Sequence, residues 1–140
     1  MIQKIYSLTN PKKLLNIIYK NKQTPGKLTA VQRAGLSDEG HYLQAMHIKL
    51  PSGTEIKPHK HKPIQRKTTK THEGLLILEG IIELTIFDTD KKQIKKEILN
   101  RGDFTILLDG GHSLKVIKHA SVFEFKNGPY LGPEKDKVNF

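Results

Sequence analysis

"EGLLILEGIIELTIFD", Glu73 to Asp88, is the stretch on which the fold of this chain turns. It reads as two short strands, "EGLLILE" and "IIELTIFD", separated by the turn chemistry of Glu79-Gly80. Both faces of "LLIL" are apolar, which suits a strand with neighbours over both faces. Outward from here the rhythm repeats. Downstream come "QIKKEIL", "FTILL", "HSLKVIK" and "SVFEFK", punctuated by "DTDKK", "NRGD", "DGG" and "KHA". Upstream, "HYLQAMHIKL" alternates with a period of two and "TEIKPHKH" follows the "PSG" break. Eight short strands from about residue 41 onward predict an all-β antiparallel sandwich or barrel and exclude a doubly wound α/β fold. The expected core is Leu75, Leu76, Ile77, Leu84, Ile86, Ile106, Leu107, Val116 and Phe123.

Residues 1–40 differ in character. "NPKKLLNIIYKN" has Asn10 as a candidate N-cap, Pro11 at the first helical position and an apolar run behind them, which predicts a short helix. "KQTPGKLTAVQRAGLSDEGH" is turn-rich and expected to be irregular. The chain therefore divides into an N-terminal extension, 1–40, packing on a barrel of residues 41–140 that ends in a C-terminal tail.

A chain of 140 residues fits one domain with a real core. It has no cysteine, which excludes disulfides, thiolate metal sites and cysteine nucleophiles. The N-terminus lacks the apolar region of a signal peptide, and no apolar run reaches the roughly 18 residues of a membrane span. A soluble, cytoplasmic protein without membrane partners is the expectation. The net charge of +10 raises the question of nucleic acid. Lysine supplies nearly all of it, the arginines being Arg33, Arg66 and Arg101, and there is no tryptophan. Base readout and stacking draw on arginine and exposed aromatics. The lysines are scattered through every segment, so a solvated surface and an anionic small ligand are preferred over nucleic acid.

"PHKH" places His59 and His61 two residues apart, on one face if the segment is a strand. Two neutral imidazoles on one rigid strand make half a site for a divalent first-row metal. Glu73 opens the strand that ends at Gly80, and His112 follows "DGG" at the start of a later one. His72 should face away from Glu73, and His41, His47 and His119 have no supporting spacing. The basic "KPIQRKTTKT", residues 62–71, joins the histidine strand to the glutamate strand and should lie near the barrel mouth. Within it Arg66 and Lys67 are the candidate substrate-binding residues, Arg66 through a bidentate contact to carboxylate or phosphate.

These residues resemble the two motifs of the cupins, small metal-binding β-barrels of jelly-roll type. Gly53, five residues, His59-Lys60-His61, then Glu73, six residues and Gly80 follow the first motif. Gly102, five residues and "LDGGH" follow the second. Eleven residues separate His61 from Glu73, more than the family's usual interval, and Leu108 and Val116 replace the motif's proline and asparagine. The tail "EFKNGPYLGPEKDKVNF" is similar to that of small single-domain cupin-fold metalloproteins of the WbuC-like type, associated with surface-polysaccharide biosynthesis. The resemblance implies a cupin-type antiparallel barrel with one divalent transition metal per chain (Fe, Mn, Ni or Zn) held by His59, His61, Glu73 and His112.

It also implies a metal-dependent cupin acting on a small oxygenated, anionic substrate: a sugar, sugar acid or nucleotide sugar. The metal would serve as a Lewis acid for isomerase, epimerase or lyase chemistry, with Glu73 as a ligand or a base. A non-catalytic metal-containing module that binds a carbohydrate or metabolite is the alternative from another class. An iron-dependent dioxygenase and a metal-free isomerase using one histidine with Tyr42 or Tyr130 complete the set. A homodimer is expected, because sheet edges need covering.

Overall fold

The computed structural model describes residues 1–22 and 28–140. Among these residues eight strands follow in chain order: β1 (Ile2–Tyr6), β2 (Leu14–Tyr19), β3 (Gln32–Gly35), β4 (Met46–Lys49), β5 (Glu73–Phe87), β6 (Gln93–Asn100), β7 (Phe104–Leu107) and β8 (Gly111–Lys126). The one helix among the described residues is a single turn, α1 (Pro133–Asp136). The class is all-β, and its main sheet is antiparallel in the order β1-β2-β7-β5-β6, with β8 also paired to β5.

The short helix expected at "NPKKLLNIIYKN" is a strand. Asn10 makes a turn instead of a helix cap: its carbonyl accepts from the Lys13 N–H at 2.8 Å and its side chain from Lys12. The chain then enters β2, which pairs β1 on one edge and β7 on the other. Leu15, Asn16, Ile17 and Ile18 are all fully buried there. An apolar run this short has no decisive period, and pairing along both edges settles it as a central strand. Residues 1–40 thus supply strands to the main sheet itself. Part of the segment expected to be irregular, residues 23–27, lies outside the described residues; further on, β3 pairs with β4 as a separate two-stranded sheet.

Two apolar clusters lie against the main sheet. Ile18, Leu75, Ile77, Leu84, Ile86, Leu99 and Leu107 belong to one, and Ile17, Phe104, Ile106 and Leu108 to the other with Leu36. Neighbours Ile17 and Ile18 enter different clusters, as do Ile106 and Leu107, because successive strand side chains point to opposite faces. Leu36, with Leu43 and Ala45 packed beside it, lies just outside β3 and β4 and covers the second cluster.

The two strands expected on either side of Gly80 are one bent strand. Gly80 sits at φ 84°, and the β5–β8 register shifts three times between Ile77 and Ile82. The chain bulges there and does not reverse. A Cβ on Gly80 would collide with the His119 carbonyl oxygen, so the bend needs glycine twice over. "KHA", expected as a turn, is the part of β8 that runs opposite this bulge, so β8 is continuous too.

Two further expectations change. "TEIKPHKH" forms no strand: residues 52–71 are exposed throughout and lack a ladder. Pro51, Pro58 and Pro63 remove backbone donors at intervals. Of the expected core, Val116 is 60% and Phe123 61% exposed, because among the described residues β8 has β5 as its one strand partner and lies at an edge of the sheet. Leu76 is half-buried, and the remaining six are buried. Among the described residues no helix is long and apolar enough to cross a membrane.

Candidate functional site

The bend in β5 brings the two ends of the β5–β8 ladder together. Glu73, the first residue of β5, pairs with Leu107 at the end of β7 and with Lys126 at the end of β8. From Leu107 the chain turns through Leu108-Asp109-Gly110-Gly111, with Gly110 at φ 71° packed on the Phe87 carbonyl. His112 emerges beside Glu73, its Nε2 3.4 Å from Glu73 Oε1. In register His112 lies opposite Ile86, thirteen positions along β5 from Glu73, so only the curl of the sheet makes this pair.

Glu73 is buried and His112 is about one-third exposed. The hydrogen bond with His112 lowers the Glu73 carboxyl below its ordinary range, against the opposing effect of burial; the charges of His112, Lys137 and Lys126 add to the lowering. The pair opens into a cavity of about 380 Å³ whose wall includes Lys126, Asp109, Lys137 and Phe140. Phe140 packs edge-on against Phe87 with centroids 5.4 Å apart and lies over Gly111, where a Cβ would strike its ring. The cavity thus combines an imidazole and two ammonium groups with the carboxylates of Glu73, Asp109 and Asp136, a mixed set of cations and metal-ligating oxygens.

His59 and His61 stand apart from this pair. Their rings do face each other, with centroids 5.5 Å apart. They lie on the exposed 52–71 arm, and neither lines the Glu73–His112 cavity. From 52 to 69 the hydrogen bonds are local: Thr54 to Pro51, the His59 ring to the Lys57 carbonyl, and Thr68 to Lys70. Among the described residues no three metal-ligating side chains converge. The expected four-ligand set is present as two halves, one in a cavity and one on an arm.

Arg66 and Lys67 line a second cavity, of about 750 Å³, together with His41, Tyr42, Lys70 and His72. Alternation at the start of β5 sends His72 and Glu73 to opposite sides, as expected, so this cavity and the first share no lining residue. His72 is buried, and burial, then the nearby His41 and Lys70, push its imidazole below the ordinary value. His41 and His72 stand 6.0 Å apart, centroid to centroid. The sequence carries no spacing that joins residues 41, 66 and 72. Lys126 and Lys137 escaped notice for the same reason, since a lysine near a carboxylate leaves no motif. His47 bonds to the Tyr19 hydroxyl at 2.8 Å, and His119 stands opposite the Gly80 bulge.

Comparison with protein-family models, with curated proteins and with solved structures finds no match.

Proposed function

We propose that this chain is a metal-dependent protein of the cupin type that acts on a small oxygenated anion such as a sugar acid or nucleotide sugar. The observation that carries the reading is the Glu73–His112 pair, held at 3.4 Å in a cavity that also presents Lys126 and Lys137. A carboxylate and an imidazole are two donors of the kind a first-row divalent metal takes. His59 and His61 would supply the other two once the 52–71 arm lies down over the barrel, and its hydrogen bonds through residue 69 are all local. A metal held there would supply a Lewis acid for isomerase, epimerase or lyase chemistry. Glu73, ionised over a wide pH range, would be a ligand or accept a proton from the substrate. Lys126 and Lys137 would draw the anionic end of the substrate to the same cavity.

The proposed working form is a homodimer in the cytoplasm. Leu114, Val116, Ile117, Val122 and Phe123 form an exposed apolar series on β8, and a second copy would cover it. Metal analysis of untagged protein tests the central claim. One transition-metal ion per chain is expected, lost on either His59→Ala or His112→Ala while the β-type circular-dichroism spectrum is kept. Metal bound equally well by both variants would sink the assignment. Turnover of nucleotide sugars and sugar acids by the loaded protein separates an enzyme from a binding module.

A further inference from the structure

We infer that the second cavity is a binding site for a small organic phosphomonoester, separate from the Glu73–His112 cavity and independent of any metal. Its wall carries Arg66, Lys67 and Lys70 beside His41 and His72, and among the described residues no carboxylate lines it. The Lys70 ammonium is already paired with Asp109. Arg66 and Lys67 have no acidic partner among the described residues. Two unpaired cations beside a cavity match a dianion better than a carboxylate's single charge. A phosphomonoester carries about −1.5 to −2 at neutral pH, with three strong acceptor oxygens.

The donors match that geometry. The Arg66 guanidinium offers a planar fork for two phosphate oxygens, and Lys67 a point charge. The backbone N–H of Leu43 donates to Nδ1 of His72 at 3.4 Å, so Nδ1 is an acceptor and the ring proton sits on Nε2, a further donor. His41 has an Nδ1 shut away from solvent with no hydrogen-bond partner. A buried orphan donor costs more than an under-used acceptor, which again favours the proton on Nε2.

The floor is built as well as charged. Asn127 accepts from the His72 N–H at 2.6 Å, donates to the Lys70 carbonyl at 3.0 Å, and its own N–H reaches the His72 carbonyl at 3.3 Å. These bonds hold residues 70–72 in place under the cavity. A volume of about 750 Å³ is far more than one phosphate fills and lies in the range of small-ligand sites. The remainder is walled in part by the exposed Tyr42 ring and Pro129, which suit the body of an organic ligand such as a sugar.

Calorimetric titration of the full chain, stripped with a chelator and held near physiological ionic strength, tests the site. The probes are glucose 1-phosphate, inorganic phosphate and acetate. Saturable one-to-one binding of glucose 1-phosphate is expected, with the other two at least tenfold weaker. Arg66→Ala and Arg66→Lys should each weaken it about tenfold or more, since lysine keeps the charge and loses the fork. Lys118→Ala, on exposed β8, and His112→Ala should leave it within about twofold. Three results would overturn the site: no saturable binding of glucose 1-phosphate, an equal loss in Lys118→Ala, or a loss in His112→Ala that spares Arg66→Ala. Inorganic phosphate binding as tightly as the sugar ester would overturn the organic part of the assignment. Metal content plays no part in these outcomes, so the site and the metal reading can fail separately.

Discussion

β7 and β8 both pair with β5, and both are rich in apolar residues, yet their environments are opposite. β7 is buried at every position, from Phe104 to Leu107. β8 is exposed along nearly its whole length. The difference lies in their neighbours. β7 sits between β2 and β5, and its side chains enter the two clusters on either face of the sheet. Among the described residues β8 has a single strand partner, and only its ends, at Gly111 and Phe125, meet aromatic rings, those of Phe140 and Phe104. Apolar composition therefore sets what a strand can bury, and topology sets whether it does. A strand like β8, long and unpaired on one edge, is also a template for another chain.

The sharpest way to break this contrast is to empty the same kind of volume on each strand. Ile106→Ala on β7 should cost about 2–5 kcal/mol, the usual range for deleting a fully buried isoleucine side chain. Val116→Ala on β8 should change the stability of the single chain by no more than about 0.5 kcal/mol. Urea denaturation at low protein concentration gives both values. Similar losses at the two positions would mean that β8 is covered within the chain, and the contrast would fail.

The bend that separates the two environments is the next target. Gly80→Ala places a side chain at φ 84° against the His119 carbonyl. A non-glycine residue forced into that region costs about 1–3 kcal/mol before any clash is counted. The variant should also loosen the Glu73–His112 pair, which exists only because β5 curls. A Gly80→Ala protein as stable as the parent, by the same denaturation curve, would show that the curl does not depend on this residue.

A third measurement asks what lies over β8. Light scattering at micromolar concentration should give a dimer mass, and Phe123→Asp should shift it towards the monomer, because a charge would then sit in the covered face. The same substitution on a strand that stays open to water should leave the mass unchanged. A monomer mass for the parent chain would leave the β8 apolar residues open to water and remove the dimer from the proposal.

Much of this was legible before any coordinates. Alternation and turn residues locate β6 and β7 to within a few positions and mark the residues of β5 and β8. Each of those two long strands reads as a pair of short ones, because the bulge at Gly80 and its partner stretch "KHA" carry turn chemistry. Glu73 and His112 are visible from their flanking glycines, and the structure does bring them together. The strand at Leu14–Tyr19 was hidden by its own uniformity: a central strand buried on both faces has no alternation to read. "TEIKPHKH" misled in the opposite way, since its alternation is real but three prolines in and around it leave few donors for a ladder. The burial of β8 could not be read at all. Val116 and Phe123 have the character of core residues, and only the layer arrangement leaves them outside. The second cavity joins residues far apart in the chain, and no short pattern announces it.

The smallest effect expected is an acid one, and it falls on the well-covered side of the comparison. Asp88, at the end of β5, is buried and receives the N–H groups of Leu8 and Thr9, at 2.7 and 3.3 Å, as well as that of Thr89. It ties the β1–β2 turn to the main sheet. Burial pushes its carboxyl up, but hydrogen bonds from Ser7, Thr89, Leu8 and Thr9 outweigh this and lower it from 3.8 to about 2. A folded-state value below the unfolded one means that the unfolded chain takes up the proton first as the pH falls. The contribution is therefore whole above about pH 4, shrinks as the pH falls towards 2, and is gone below that. Asp88→Asn cannot take up this proton and keeps only part of the hydrogen bonding. The parent should lose its advantage over the variant between those two pH values and hold a constant advantage from pH 5 to 7. Stability curves for both proteins across that range decide it: an advantage that persists below pH 2, or is absent at pH 6, would mean that the carboxylate does not hold the N-terminal strands to β5.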